Sequence, residues 1–234
     1  MKKKTLIATA LGLSLMSVPA LAMEDDQLFH YFSLETDYAD WGEAEREVTF
    51  EGEGWLGNDT HRAWLKTEGE WEDGSWHEAE VQLLYSKPVA DFWDVQAGVR
   101  HDFKPHPTHY AVFGVQGLAP YFFETEAAFF LSDEGDSSFR AHVSYDLLIT
   151  QRLIAEPYGE ANFYFQDVDA QEKASGLADI DTGLQLRYEI TRKFAPYLDF
   201  NYRSTFSGTR DIAERAGEDP DSFVVRAGLR FWLN

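Results

Sequence analysis

The sequence predicts an all-β fold, a transmembrane antiparallel up-and-down β-barrel of about twelve strands. Apolar and polar residues alternate along most of the chain beyond residue 22, whereas helical periodicity is almost absent. Most alternating segments are about ten residues long, the length that a tilted strand needs to cross a bilayer. Short turns and longer loops connect the segments in alternation, with both chain ends on the periplasmic side, as in outer-membrane barrels.

The first segment, residues 1–22, is interpreted as a cleaved signal peptide. Lys2–Lys4 form a basic start, Leu6–Val18 an apolar stretch and Ala20–Ala22 a small-residue cleavage site. A membrane anchor is the alternative, but the apolar run is too short to span a bilayer as a helix. Residues 23–234 then form one barrel domain in the outer membrane of a Gram-negative cell, with the lipid bilayer as its surroundings.

The composition limits the choice of partners. The chain has no cysteine, so no disulfide can stabilise it, and 41 acidic against 20 basic residues give a formal charge of −21. This charge excludes nucleic acid as a partner and favours cations. A solvated acidic surface suited to a salty habitat is the alternative explanation.

Twelve strands are predicted, and ten or fourteen remain alternatives. Pro157 lacks an N–H for the ladder, so the ninth strand is expected to start later or to carry a bulge. The strands are predicted at 29–38, 48–56, 62–71, 76–86, 92–103, 110–117, 121–131, 139–150, 153–166, 180–190, 195–206 and 223–233.

The two faces of these strands predict their surroundings. The more apolar phase contains no Asp, Glu, Lys or Arg, whereas the opposite phase carries almost all strand charges. A soluble sandwich would also alternate, but aromatic residues at the strand ends favour a membrane barrel. The charged phase should line a cation-selective lumen, unless Arg–carboxylate pairs close it. Its predicted lining includes Glu35, Asp37, Glu53, Glu68, Arg100, Asp146, Glu160, Arg187, Arg226 and Arg230.

The last strand, Ser222–Asn234, has one wholly apolar face. In a closed barrel it pairs with the first strand and leaves no free edge. Its stretch Arg226–Leu233 also resembles the C-terminal signal that delivers such barrels to the barrel-assembly machinery, which is therefore an expected partner.

Long segments resemble the copper resistance protein B family (CopB/PcoB). They are GVRHDFKP (98–105), AVFGVQGLAPYFFETEAAFFLSDEGDSSFRAHVSYDLLITQRLI (111–154), SGLADIDTGLQLRYEITRKFAPYLDF (175–200) and the closing AGED and FVVRAGLRFW (216–232). The resemblance implies an outer-membrane protein of copper-resistance operons that binds copper or helps to move it. Family members commonly carry a Met- and His-rich arm before the barrel, which this sequence lacks.

The missing arm affects the expected copper chemistry. Thiolates and thioethers select Cu(I), and after cleavage the chain keeps only Met23. We therefore expect copper to bind as Cu(II), to imidazoles and carboxylates. A periplasmic copper-handling oxidase is a possible partner.

Two groups of residues are candidate copper ligands. His101, Asp102, His106 and His109 lie within nine residues on a Pro-containing loop, although a merely polar loop would look the same. His142 is expected on the inner face, where Glu124 and Glu126 could join it across the strand pair. The alternative there is a hydrogen-bond network with arginines. Three other histidines look incidental: His30, His61 and His77.

The functional hypothesis is a non-enzymatic copper-homeostasis barrel that binds or helps to move copper ions. A generic cation-preferring channel without a metal site is the main alternative. An outer-membrane hydrolase would need a nucleophile beside a base, and only Ser144 with His142 qualifies on the inner face. Residues two apart on a strand point the same way without meeting, which disfavours the hydrolase.

Overall fold

The computed structural model describes residues 28–40, 46–72, 74–217 and 219–233. The predicted signal peptide, residues 1–22, lies outside the described residues. One-turn 3-10 helices lie at Pro120–Phe122 and Asp169–Gln171. The strands and the α-helix are β1 (Phe29–Asp40), β2 (Arg46–Gly57), β3 (Arg62–Glu72), β4 (Ser75–Ala90), β5 (Trp93–Lys104), β6 (Thr108–Ala119), β7 (Phe123–Ser132), β8 (Ser137–Ser144), β9 (Leu147–Leu148), β10 (Leu153–Tyr164), β11 (Gly176–Tyr188), β12 (Phe194–Thr205), α1 (Ser207–Ala216) and β13 (Asp221–Leu233).

The strands form one closed antiparallel sheet. Consecutive strands pair with one another, and β13 pairs with β1 from Phe32↔Leu233 to Tyr38↔Ala227. The short β9 and the longer β8 both pair with β10, so together they are one interrupted strand. The barrel therefore has twelve strands, which confirms the predicted fold and its strand count.

The interruption lies opposite Pro157. Strand β10 runs through this proline without a break, and Tyr145 and Asp146 of the neighbouring strand leave the ladder instead. The Tyr145 N–H still donates to the Pro157 carbonyl at 3.1 Å. Because proline has no N–H to return, the partner strand loses its regular pairing here. The irregularity expected in the ninth strand is thus carried by its neighbour.

The outward face is apolar and open. Leu65, Leu83, Val99 and Phe113 are 53–58% exposed although all four belong to central parts of strands. Such a continuous apolar surface is unusual for a soluble monomer and is the surface that hydrocarbon solvates. None of the helices within the described ranges is long and apolar enough to cross a membrane.

The two longest connections, residues 165–175 and 206–220, lie at one end of the barrel, here the loop end, and the opposite end, the turn end, carries short connections. The stretch between the last two predicted strands contains α1, which packs on β11. The buried Thr209 hydroxyl of α1 accepts the Ala174 N–H at 3.0 Å, and Gly217 (φ 86°) ends the helix. Only Gly217 marked this helix in the sequence, since its ten residues lie in a polar stretch.

One side of the lumen is filled by an apolar cluster that the sequence analysis did not anticipate. Its members occupy inward positions of strands β3–β7, in the phase that otherwise carries the charges, so the inner wall at this side is apolar. The cluster consists of Trp64, Leu84, Tyr110, Val112, Ala128 and Phe130, with Trp55 packed against it.

Candidate functional site in the lumen

The remaining lumen holds a cavity of about 660 Å³. Side chains of the inward phase line it, and carboxylates outnumber cations among them. Its acidic wall is formed chiefly by β1–β4, facing β8 and β10–β13. This cavity is the candidate functional site.

A continuous row of carboxylates crosses the acidic wall. Successive members are directly opposed on neighbouring strands, a placement that normally destabilises a sheet. From β1 to β5 the row, hereafter the acid row, consists of Glu35, Glu51, Glu68, Glu80 and Asp102.

Arginines compensate the two ends of the acid row better than its middle. Arg230 lies 2.8 Å from Glu35, and Arg100 lies 2.7 Å from Glu80. In the middle, Glu68 has only a 3.4 Å contact with Arg140. Glu51 forms no ion pair with any residue that the structure describes. The centre of the row therefore holds two carboxyl groups without a close cationic partner, and both line the cavity.

Eight basic residues of the inward phase form ion pairs, some of them across the lumen. Lys66 of β3 reaches Glu126 of β7 at 2.5 Å, and Arg203 of β12 reaches Glu70 of β3 at 3.8 Å. The lumen is thus partly closed by ion pairs, as the alternative interpretation of the sequence expected, yet it keeps an open cavity. The eight are Arg62, Lys66, Arg100, Arg140, Arg187, Arg203, Arg226 and Arg230.

His142 lies on the inner face between two carboxylates. It is directly opposite Glu126 of β7 and directly opposite Glu160 of β10. Directly opposed side chains have Cβ atoms about 5 Å apart, so all three groups can approach one ion. In the described state Glu126 is paired with Lys66 and Glu160 lies 3.5 Å from Arg140. Glu124, the third predicted residue here, is opposite Ser144.

The loop-end histidines are arranged differently. His101 and His109 are directly opposed and stack at a ring distance of 4.3 Å, while Asp102 is buried on the inner face against Arg100. His106 instead contacts the Ala170 carbonyl. The structure therefore brings two of these four residues together. Within the described ranges, no group of three or more His, Cys, Asp or Glu is placed as it stands to hold a metal ion.

A cover loop, residues 165–175, closes the loop end over this hairpin. The His106 Nδ1 lies 2.7 Å from the Ala170 carbonyl oxygen, and Gln171 donates to Asp102 at 3.3 Å and also bonds Tyr110. At its base Asp167 accepts the Ser175 N–H at 2.7 Å, a bond that lowers the pKa of this carboxyl. These bonds hold the cover loop on the β5–β6 hairpin at the loop end of the barrel.

Removing both contacts should open the cover loop. Each hydrogen bond contributes about 1 kcal/mol, so a double variant His106→Ala, Gln171→Ala, which removes at least two of them, should raise the open fraction by about thirtyfold. Conductance in planar lipid bilayers measures this change. A His77→Ala variant, which alters an exposed histidine with no cover-loop contact, should conduct like wild type. Equal conductance of wild type, the double variant and His77→Ala would contradict the role of these hydrogen bonds in holding the cover loop.

The family becomes clear from comparison with known proteins. A family model described as Copper resistance protein B precursor (CopB) matches residues 30–233. The chain belongs to the copper resistance protein B family. It is 41% identical over 211 residues to Copper resistance protein B of Escherichia coli, covering 89% of this chain and 71% of the relative. It is 39% identical over 214 residues to a homolog from Pseudomonas syringae pv. tomato, covering 90% and 72%.

Solved structures match the fold of this copper resistance protein B family member. The NanC porin aligns with a TM-score of 0.58 at 14% identity, covering 86% of this chain and 98% of the porin. The KdgM porin aligns with a TM-score of 0.53 at 10% identity, covering 87% and 99%. At such low identity these likenesses establish the barrel architecture alone.

The other predicted lining residues of the family member also face the lumen. Asp37 lies 3.8 Å from Arg226, Asp146 is paired with Arg187, and Glu53 lines the cavity. Ser144 is buried, and no hydrogen bond joins it to His142 in the part of the chain that is described. Glu160 was not predicted as a neighbour of His142. The pairing register of the predicted strands 139–150 and 153–166 could have revealed it.

Proposed function

We propose that this copper resistance protein B family member binds Cu(II) in the lumen of an outer-membrane barrel and helps to move it. His142, flanked by Glu126 and Glu160, is the proposed binding position. The observation that carries the proposal is the direct opposition of one imidazole and two carboxylates on three neighbouring strands. The outward apolar face and the porin-like fold support the outer membrane as its location.

The donor set suits this ion. Residues 28–234 contain no Cys and no Met, so the barrel offers no soft ligand for Cu(I). Imidazole nitrogen and carboxylate oxygen suit Cu(II), which also binds more tightly than other divalent first-row metals. To use both carboxylates, copper must displace Lys66 from Glu126 and Arg140 from Glu160.

The route toward this position also fits a cation. The stacked His101 and His109 belong to the outward phase of β5 and β6, like Val99 and Phe113, so they lie outside the route through the lumen. The acid row then provides a negative potential that concentrates cations in the cavity. Release at the turn end would hand copper to a periplasmic copper-handling oxidase, which we retain as a proposed partner.

Calorimetric titration of the purified full chain in detergent tests the binding position. His142→Ala should weaken Cu(II) binding at least about tenfold, since it removes the only nitrogen ligand of the position. His30→Ala, which removes an exposed histidine at the turn end of β1, is the matched control and should leave the titration unchanged. Loss of binding only in His101→Ala or His109→Ala would place copper at the loop end instead.

A cation-preferring channel without a specific site is the second candidate. The cavity of about 660 Å³ with its excess of carboxylates favours it. A wild-type protein that shows no saturable Cu(II) heat, yet a cation-selective reversal potential in planar bilayers, would support this channel over the copper site.

A further inference from the structure

Exposed cations without a partner lie at the turn end of the barrel. Eight cations of the inward phase are paired with carboxylates, whereas four cations at the turn end form no ion pair with any residue that the structure describes. They are Lys87, Arg152, Arg192 and Lys193. Because the chain has 41 acidic but only 20 basic residues, four cations without a carboxylate point to an anion outside the chain.

These cations belong to consecutive connections of the sheet. Strands β4 to β12 are neighbours, and their turn-end connections form the turn-end arc, residues 87–92, 119–123, 147–152 and 189–193. The arc carries four cations against two carboxylates, Asp91 and Glu189, although the whole chain has a formal charge of −21. The sign of the charge is therefore reversed locally, and the arc complements an anionic surface.

The tips of the turn-end arc carry exposed aromatic rings. Phe92 is 72% exposed, Tyr121 84% and Phe122 74%. All three residues have a positive φ, of 66°, 70° and 67°, a backbone conformation that bulky side chains rarely adopt. The exposed rings and the strained backbone both cost free energy in water, so an apolar environment that receives the rings offsets this cost.

The arc is continuous with the outward face that hydrocarbon solvates. On β4 the outward phase runs from the exposed Leu83 through the exposed Tyr85 to Lys87. A lysine at the end of a lipid-facing strand keeps its methylene stem in apolar surroundings and extends its ammonium group to the lipid headgroups. The anion that fits these cations is therefore the lipid phosphate.

We propose that the turn-end arc anchors one side of the barrel in the phospholipid leaflet that faces the periplasm. The aromatic tips enter the interface between headgroups and acyl chains, where amphipathic rings are favoured, and the four cations bind lipid phosphates. The β2–β3 connection, residues 58–61, is polar at every position and stays in water. The inference rests on the proposed outer-membrane location and does not depend on the copper position.

Binding of phosphatidylglycerol to the purified full chain in detergent, counted by native mass spectrometry, tests the cations. Lys87→Gln with Arg152→Gln should weaken lipid binding at least about tenfold, because each cation near an anionic lipid contributes to the attraction. The matched control is Lys104→Gln with Arg215→Gln. It removes two exposed loop-end cations that also lack an ion pair within the described ranges, and it should leave the affinity unchanged. Equal lipid affinity in the two double variants would overturn the role of the arc.

Spin labels test the immersion of the aromatic tips. The chain has no cysteine, so a single introduced cysteine is the only attachment point. In vesicles of phosphatidylcholine and phosphatidylglycerol, a nitroxide at Tyr121→Cys should lose its collisions with an aqueous nickel chelate, as should a nitroxide at Leu83→Cys on the outward face. A nitroxide at Asp59→Cys, in the β2–β3 connection, should keep these collisions.

The outcomes separate this inference from the proposed function. A label at position 121 that is as accessible as the label at position 59, while position 83 is shielded, overturns the anchoring but leaves the barrel in the membrane. An accessible label at position 83 overturns the membrane location and the anchoring with it. Heat-modifiable migration on gels checks that each variant has folded. The Cu(II) titration of His142→Ala changes neither result.

Discussion

Replacing Arg226 with Met is expected to lower the free energy of unfolding by about 3 kcal/mol. Arg226 contacts Glu47 at 2.6 Å, Asp199 at 3.5 Å and Asp37 at 3.8 Å, so it joins strands β12, β13, β1 and β2 at the seam of the barrel. Its side chain is 10% exposed. Methionine keeps most of the volume but leaves three carboxylates without their shared cation, which is the costly way to break a buried network.

Urea unfolding in lipid vesicles measures this loss, with Arg210→Met as the matched control. Arg210 pairs with Asp221 at 2.8 Å and Glu214 at 3.3 Å but is 40% exposed, so its removal should cost less than about 1 kcal/mol. Acidification should reduce the difference in unfolding free energy between Arg226→Met and wild type, because protonation neutralises the three carboxylates that have lost their arginine. Equal losses of unfolding free energy in Arg226→Met and Arg210→Met would mean that the ion pairs of Arg226 contribute no more than an exposed ion pair on the surface.

The fold was predictable because alternation in a barrel has one physical cause. A residue such as Leu83 must face hydrocarbon if its neighbours Gln82 and Leu84 face inward, so the period of two assigns each strand's faces directly. Leu84 also shows where this reasoning stops. It is apolar yet 2% exposed on the inner side, and a pattern sorted by polarity cannot tell which apolar residues fill a lumen. Helix α1 was not predicted because its ten residues form a short polar stretch that only Gly217 marks as a helix.

The candidate site was predictable as far as strand neighbours determine it. The structure places Glu126 directly opposite His142, because both lie in the inward phase of consecutive strands, whereas Glu124 is opposite Ser144. Contacts across the lumen, such as Lys66 with Glu126, depend on how the sheet curves and have no trace in the local pattern. The separation of His106 from His101 depends likewise on the cover loop, because His106 contacts the Ala170 carbonyl there. The alternation of residues along strands does not predict the conformation of such a loop.

Replacing Gly98 with Ala should destabilise the barrel by about 3 kcal/mol. A Cβ at Gly98 would lie 2.1 Å from the Leu83 carbonyl oxygen and 2.8 Å from the Leu84 Cα. Both are backbone atoms of the paired strand β4, so no side-chain rotation can relieve the clash. Strands β4 and β5 must separate locally, and Leu84 then leaves its position in the apolar cluster. Urea unfolding in vesicles and heat-modifiable migration both report the loss.

The control for this prediction is Gly159→Ala on β10. A Cβ at Gly159 would find its nearest atom, the Thr182 Cγ2, at 3.7 Å, which is ordinary packing distance. Alanine in a strand interior is normally favoured over glycine by about 0.5–1 kcal/mol, so this variant should be as stable as wild type or slightly more stable. If both variants unfold at the same urea concentration, the close approach of β4 and β5 does not constrain the wall. If only Gly98→Ala is destabilised, the apolar side of the lumen depends on that glycine, and the packing of the apolar cluster beside the acid row shapes the cavity that remains open.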